Sequence, residues 1–190
     1  MSSVIIAGNT SGTITLDAPA VAGTTTLTLP TTSGTIVTSA NINSNLPAGS
    51  VLQVVNAVTS TLNATTGGTL IDTNLTASIT PSSSSNKILV LVNQFGGKDG
   101  NCAYKIRLLR DSTDIGGADY IMFTNTVNSV QGFSYSFAVL DTPSTTSSTT
   151  YKTQFMSAQN IASVGVMNDN STAVMILMEI AAWTIVLSSN

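Results

Sequence analysis

The segment Phe133-Ser134-Tyr135-Ser136-Phe137-Ala138-Val139-Leu140 decides the fold class. Its aromatics and Val139 fall on one side of an extended chain, and small residues fall mostly on the other. That period of two marks a strand with one face in a core. Leu75, Ala77 and Ile79 alternate with Thr76, Ser78 and Thr80 in the same way. No long segment carries the 3.6-residue apolar period of a helix. Ser and Thr make up roughly 30% of the chain, and Thr is a β-former. The expected class is all-β.

Further strands are expected near 51–59, 69–80, 87–95, 102–110, 119–124, 132–140, 151–157 and 172–186. Their spacing suits an antiparallel, jelly-roll-like β-sandwich with loops at both ends. Two of them break the alternation. Ile88-Leu89-Val90-Leu91-Val92 and Val174-Met175-Ile176-Leu177-Met178 are apolar on both faces. A strand wet on one face is not written that way. Each is expected either beneath a second layer or with one face against another subunit, and the last strand is assigned to the subunit contact.

The chain before this region reads differently. Ser11-Gly12-Thr13-Ile14-Thr15-Leu16 recurs imperfectly as Ser33-Gly34-Thr35-Ile36-Val37-Thr38, with Thr25-Thr26-Leu27-Thr28-Leu29 between. Such short strands offer one narrow apolar face and cannot close a core alone. Three copies around a common axis can. The expected organisation is therefore a β stem over 1–40, a polar linker over 41–49 and a β-sandwich head over 50–190, assembled as a homotrimer.

Composition narrows function. Only 8% of residues are charged, and the formal net charge is −3. Six basic residues scattered from Lys87 to Lys152 make no phosphate-binding face, so no nucleic-acid partner is expected. The start MSSVIIAGNT lacks the basic region of a secretory signal. The apolar run Ala173 to Leu187 is shorter than the ~18–20 residues of a membrane span, so no membrane insertion is expected. With no histidine and one cysteine, Cys102, neither a Ser-His-Asp arrangement nor a cysteine-rich zinc site can be built. The chain reads as non-enzymatic and cofactor-free. Cys102 is expected as a buried small apolar residue.

The acids read as structural. Asp111 and Asp114 follow Arg107 and Arg110 and suggest a solvated hairpin with local salt bridges. Glu179 sits inside a two-sided apolar strand, where a carboxylate must be paired or protonated. Lys105 or Arg107 is its expected partner, and a ring of three at a trimer axis is the alternative. Phe133, Tyr135, Phe137 and Trp183 are expected in the core rather than on a ligand platform.

Gly8-Asn9-Thr10-Ser11-Gly12-Thr13-Ile14-Thr15-Leu16, Ala18-Pro19-Ala20-Val21-Ala22-Gly23 and Thr26-Leu27-Thr28-Leu29-Pro30 resemble a stem segment of bacteriophage tail fibres and related virion proteins. Gly49-Ser50-Val51-Leu52-Gln53-Val54-Val55, Ile79-Thr80-Pro81 through Val90, Ile106-Arg107-Leu108-Leu109-Arg110-Asp111 and Met178-Glu179-Ile180 are similar to the head module of the same proteins. The resemblance implies a trimeric stem and a sandwich head laid out like those of C1q and tumour necrosis factor. It also implies a place on the virion tail after synthesis in a host cytoplasm, and contact with a host-surface glycan or protein. Other tail or baseplate proteins are its expected partners through the N-terminal region. Ala181 to Asn190 extends beyond the family's usual ending. A capsid decoration or cement protein, or a fibre adaptor without a receptor, stays open beside this reading.

If the head is antiparallel throughout, loops alternate between its two ends. The tip loops are then Ser60–Gly68, Gly96–Asn101, Asn125–Gln131 and Ala158–Ser171. Loops carry binding more often than strands, which makes Asn63, Thr65, Lys98, Asp99, Asn101, Asn128, Asn168 and Asp169 the candidate receptor contacts. Ile14, Leu16, Leu27, Leu29, Ile36, Ile176, Met178 and Ile180 are the candidate trimer contacts.

Overall fold

A computed structural model of the chain describes residues 3–7, 10–17, 21, 23–24, 26, 28, 31–34, 37, 42–116, 120–124, 128–166 and 171–182. The side chains of residues 3, 43, 44 and 120–124 fall outside that description. The chain divides into two compact units, Met1–Ala40 and Asn41–Asn190.

In the first unit, β1 (Ser3–Ala7) and β2 (Thr13–Asp17) form an antiparallel hairpin. Its register sets Val4 opposite Leu16 and Ile6 opposite Ile14. Residues on one face of a pair share that alternation, so these four aliphatics line one side. All four are 51–64% exposed. A lone two-stranded hairpin is marginal in water. The candidate contacts Leu27, Leu29 and Ile36 lie outside the described residues.

The second unit opens with a single turn, α1 (Ile42–Asn45). The strands follow: β3 (Val51–Thr59), β4 (Asn63–Thr65), β5 (Ile71–Ile79), β6 (Lys87–Lys98), β7 (Ala103–Arg110), β8 (Thr113–Asp114), β9 (Tyr120–Thr124), β10 (Gln131–Asp141), β11 (Thr149–Ser157), β12 (Val164–Val166) and β13 (Ala173–Ile180). Eight of these match the expected strands. The described part of the last one stops at Ile180, short of 186. The turn α1 and the short strands β4, β8 and β12 were not expected.

All pairing among the described residues of this unit is antiparallel, in two sheets. In one, β13 lies between β3 and β6, β12 continues beside β6, β4 flanks β12, and β10 takes the other side of β6. In the other, β11 lies between β5 and β7, and β7 also pairs β8 and β9. The all-β expectation holds. The core lies between the sheets: Leu75, Ile79, Tyr151 and Phe155 from one, with Ile88, Val90, Met175 and Leu177 from the other. Each fully buried side chain of this kind contributes about 1.5–3 kcal/mol of transfer free energy. Cys102 and Tyr135 are buried in the same cluster, with Phe133 and Phe137 packed against it. Tyr104 meets Phe133 edge-on at a 5.0 Å centroid distance. Those aromatics are core, as expected, while Trp183 lies outside the described residues.

Registers define the two ends of this unit. Val51, Ile79, Lys87, Arg110, Asp141, Thr149 and Ile180 sit together at the end where the chain comes in, called proximal here. Thr59, Lys98, Tyr104, Gln131, Ser157 and Ala173 mark the distal end. The chain arrives beside its own last strand: Gly49 N donates to Ala181 O and Ala181 N to Ser50 O, both at 2.9 Å.

Candidate functional site

The segments between distal strand ends are tied to one another. Asp99 N donates to Ser163 O at 2.8 Å, Ser157 N to Gly67 O at 3.1 Å, and Gly68 N to Asn160 Oδ1 at 2.9 Å. Gly100 holds φ +89, where a side chain is strained. A Cβ there would stand 3.1 Å from Ala162 Cβ and 3.3 Å from Asn128 Oδ1. Three distal segments therefore converge on that glycine.

Of the candidate contacts, Asp99, Asn101 and Asn128 are exposed here. Asn63 and Thr65 are half-buried on β4 and locally engaged. Asn63 Nδ2 donates to Asp72 O at 2.6 Å, and Thr65 Oγ1 accepts Gly67 N at 3.0 Å. Lys98 departs from its expected role: it is 2% exposed, and its ammonium turns inward to donate to Gly100 O. Asn168 and Asp169 lie outside the described residues. Sequence reasoning passed over Leu62, Val130 and Ile161, which are 60%, 75% and 67% exposed at this end. Their signal is an aliphatic inside a polar turn. Leu62, Ala64, Gly97, Lys98, Val130 and Gly165 border a shallow cleft of about 160 Å3.

Charge at the proximal end is held in two long-range networks. Glu179 is fully buried and faces inward. Its Oε1 accepts Ser82 N (2.7 Å), Ser82 Oγ (2.8 Å) and Asn86 Nδ2 (2.6 Å), and its Oε2 accepts Gln53 Nε2 (2.6 Å). Burial pushes this carboxyl up, but the hydrogen bonds from Asn86, Gln53 and Ser82 outweigh it and hold it below the usual value. The expected partners are corrected accordingly: neutral donors, not Lys105 or Arg107, satisfy Glu179. Four donors from its own chain also replace the alternative of an ion-binding ring. Arg107 instead bonds Gln154 Oε1, through Nε at 3.0 Å and Nη2 at 2.7 Å.

The local salt bridges expected for the hairpin after Arg110 are corrected too. Arg110 Nη1 pairs with Asp141, at 2.7 Å from Oδ1 and 3.0 Å from Oδ2, and Tyr151 OH donates to Oδ2 at 2.7 Å. Asp111 Oδ1 accepts Thr150 N at 3.0 Å, and Asp114 Oδ1 accepts Gly116 N at 3.1 Å.

The two outer sheet faces differ in kind. On the β5-β11-β7 sheet, Gln154 stands between Asp72 and Arg107, bonded to both, and Lys152 Nζ lies 3.0 Å from Asp72 Oδ2. That face carries ionic and hydroxyl groups. On the other sheet, three consecutive cross-strand rows read Val54-Met178-Leu89-Leu140, Asn56-Ile176-Leu91-Ala138 and Val58-Val174-Asn93-Ser136. None of these residues is charged, and Lys87, opposite Ile180, marks the proximal border. The two-sided apolar strands are therefore neighbours. The second layer covers one face of each and leaves Leu89, Leu91, Ile176 and Met178 on the other. Ile176, Met178 and Ile180 lie on this outer face, half-buried.

Among the described residues, no group of three His, Cys, Asp or Glu is placed to hold a metal, and no helix is long and apolar enough to cross a membrane. No protein-family model matches the chain, and no curated protein matches it either.

Proposed function

We propose that the chain is a virion structural protein, a tail-fibre subunit that assembles as a homotrimer and meets the host surface through the distal loops of its head. The observation that carries this reading is the contrast between outer faces. An antiparallel sheet that faces water alternates apolar-in with polar-out. The β5-β11-β7 sheet does so, and the β3-β13-β6-β10 sheet does not. A contiguous uncharged face of this kind marks an association surface. The exposed aliphatics of the stem hairpin add a second surface with the same need.

The pairing order supports a jelly-roll head like those of the resembled proteins. Taking β3, β5, β6, β7, β9, β10, β11 and β13 in turn, the chain changes sheet at every step except from β7 to β9, which pair within one sheet, an order that fits two Greek keys. Host attachment rests on the resemblance and on the convergence of several segments at the distal end. Three copies would give avidity to weak single contacts. The reading is adhesive rather than enzymatic.

Virions labelled with an antibody against residues 49–190 and imaged by electron microscopy test the proposal. Label at the tail end supports attachment. Label spread over the capsid means a decoration protein, and the receptor reading then falls.

A further inference from the structure

We propose that the uncharged outer face is a head-to-tail contact between copies of this chain, in which a valine ridge on β3 of one copy seats in a recess beside β10 of the next. It rests on the trimeric reading above and names the surfaces that make the trimer. The ridge is Val54 and Val58, 57% and 61% exposed, on a strand whose one described neighbour along these rows is β13. The recess lies over β6 on the same face, between β13 and β10. Ser136 and Ala138 are too short to fill the space left beside Leu91, Val174 and Ile176, and a hollow of about 330 Å3 results.

That volume holds roughly ten waters at ~30 Å3 each. They find few polar partners. Asn93 Nδ2 and Ser136 Oγ bond each other at 3.0 Å, and the remaining wall is largely aliphatic. Aliphatic side chains that displace such water gain the hydrophobic term without breaking good hydrogen bonds.

The occupant is a second copy for three reasons. The ridge projects out of β3 beside β13, which forms the near wall of the recess. The far wall on β10 lies three strand spacings from β3, about 14 Å at ~4.8 Å each, so a ridge pointing away from the sheet does not fill the recess of its own copy. The rows offer no charge to a charged partner. A ridge-to-recess contact also leaves one ridge and one recess over at the ends of any open chain, and a closed ring removes both.

The test uses the full chain carrying Val58→Cys and Ala138→Cys together, oxidised or treated with a short bismaleimide. The two positions are too far apart to bridge within one copy, and buried Cys102 serves as the internal control. The expected result is a covalent trimer on a non-reducing denaturing gel for the double variant, with wild type and each single variant unlinked. A ladder that stops at the dimer, or linkage by Val58→Cys alone, means the faces meet in another way and overturns the ring. If native mass gives three chains but the double variant does not link, this contact is wrong while the trimer stands. If the wild type has the mass of one chain, both fall.

Discussion

Gln53 and Glu179, 126 residues apart, meet at 2.6 Å where β3 lies beside β13. Gln53 Nε2 also donates to Thr80 O at 2.7 Å, so one amide joins β3, β13 and the turn after β5. The carboxylate is the only member of this cluster that titrates. Its folded value lies below the unfolded one, so its stabilisation is complete above the unfolded value of about 4.5 and is lost as pH falls through the folded value. Urea midpoints should hold steady from pH 7 to about 5 and drop below that. Asp72 is lowered as well, against burial, by Gln154 and Lys152, so the wild-type curve contains both. Subtracting the Glu179→Gln curve isolates Glu179. That variant sets an NH2 against donors and should cost about 1–3 kcal/mol at pH 7. A difference that does not change between pH 7 and 3 would count against this account.

Alkaline behaviour follows from three phenols. Burial pushes Tyr104, Tyr135 and Tyr151 up, opposed at Tyr104 by its bond with Tyr135, and reinforced at Tyr151 by the Asp141 carboxylate that its hydroxyl bonds. Their folded values exceed the unfolded value of about 10. Their stabilisation is therefore complete below pH ~10 and is lost as pH rises above it. Phenolate absorbance from these three should appear together with loss of β structure. Smooth ionisation near pH 10 in a chain that stays folded would show that they are solvated.

A buried polar chain crosses the core. Leu75 N donates to Thr73 Oγ1, Thr73 Oγ1 lies 2.5 Å from Thr153 Oγ1, and Thr153 Oγ1 donates to Gln94 Oε1 at 3.0 Å. Gln94 Nε2 has no hydrogen-bond partner among the described residues. Thr153→Val should cost about 1–3 kcal/mol because it strands the Gln94 carbonyl. Gln94→Met alone strands Thr153. The double variant removes both needs and should cost less than the sum of the singles in a double-mutant cycle by urea denaturation. Additive costs would mean that the hydroxyl and amide do not interact.

Gly100→Ala should disturb the distal end without unfolding the sheets. Positive φ and close contact with Ala162 and Asn128 act together there, and the expected cost is about 1–2 kcal/mol. Hydrogen exchange should speed up at Asp99 and in residues 158–163 while Val90 and Leu177 stay protected. Uniform loss of protection would show that the distal segments are not a separable unit.

Attachment, if it uses the distal end, should weaken in Asp99→Ala and Asn128→Ala virions and in Val130→Ser, and survive changes at Ser144–Thr149. Adsorption assays on host cells decide this. The reverse pattern would place the contact at the proximal end.

The eight expected strands were legible either from alternation between sheet faces, as in Leu75–Ile79 and Phe133–Leu140, or from an unbroken apolar run, as in Ile88–Val92 and Val174–Met178. Val164-Gly165-Val166 and Asn63-Ala64-Thr65 are three-residue strands, too short to display a period. Their existence depends on β6 extending to Lys98 and offering an edge. The partners of Glu179 were hidden for a different reason. Opposite charge can be sought along a sequence, whereas Gln53, Ser82 and Asn86 are neutral and look like surface residues. Lys98 misled in the opposite direction, since a lysine beside Asp99 and Gly100 reads as a solvated turn. The uncharged face was half legible. Two strands were apolar on both sides, but only the register makes them adjacent and aligns their bare sides with Val54 and Val58.

The pairing of Gly49 with Ala181 has a mechanical consequence. The chain enters β3 at the proximal end and runs toward the distal end, antiparallel to β13 along its full length. A pull between the chain's point of arrival and an anchored distal loop loads β3 lengthwise. Its hydrogen bonds to β13 then bear the load together, in shear, instead of opening singly as a zipper does. Resistance to such a pull then depends on how many bonds are loaded together, a property of the unfolding barrier rather than of equilibrium stability.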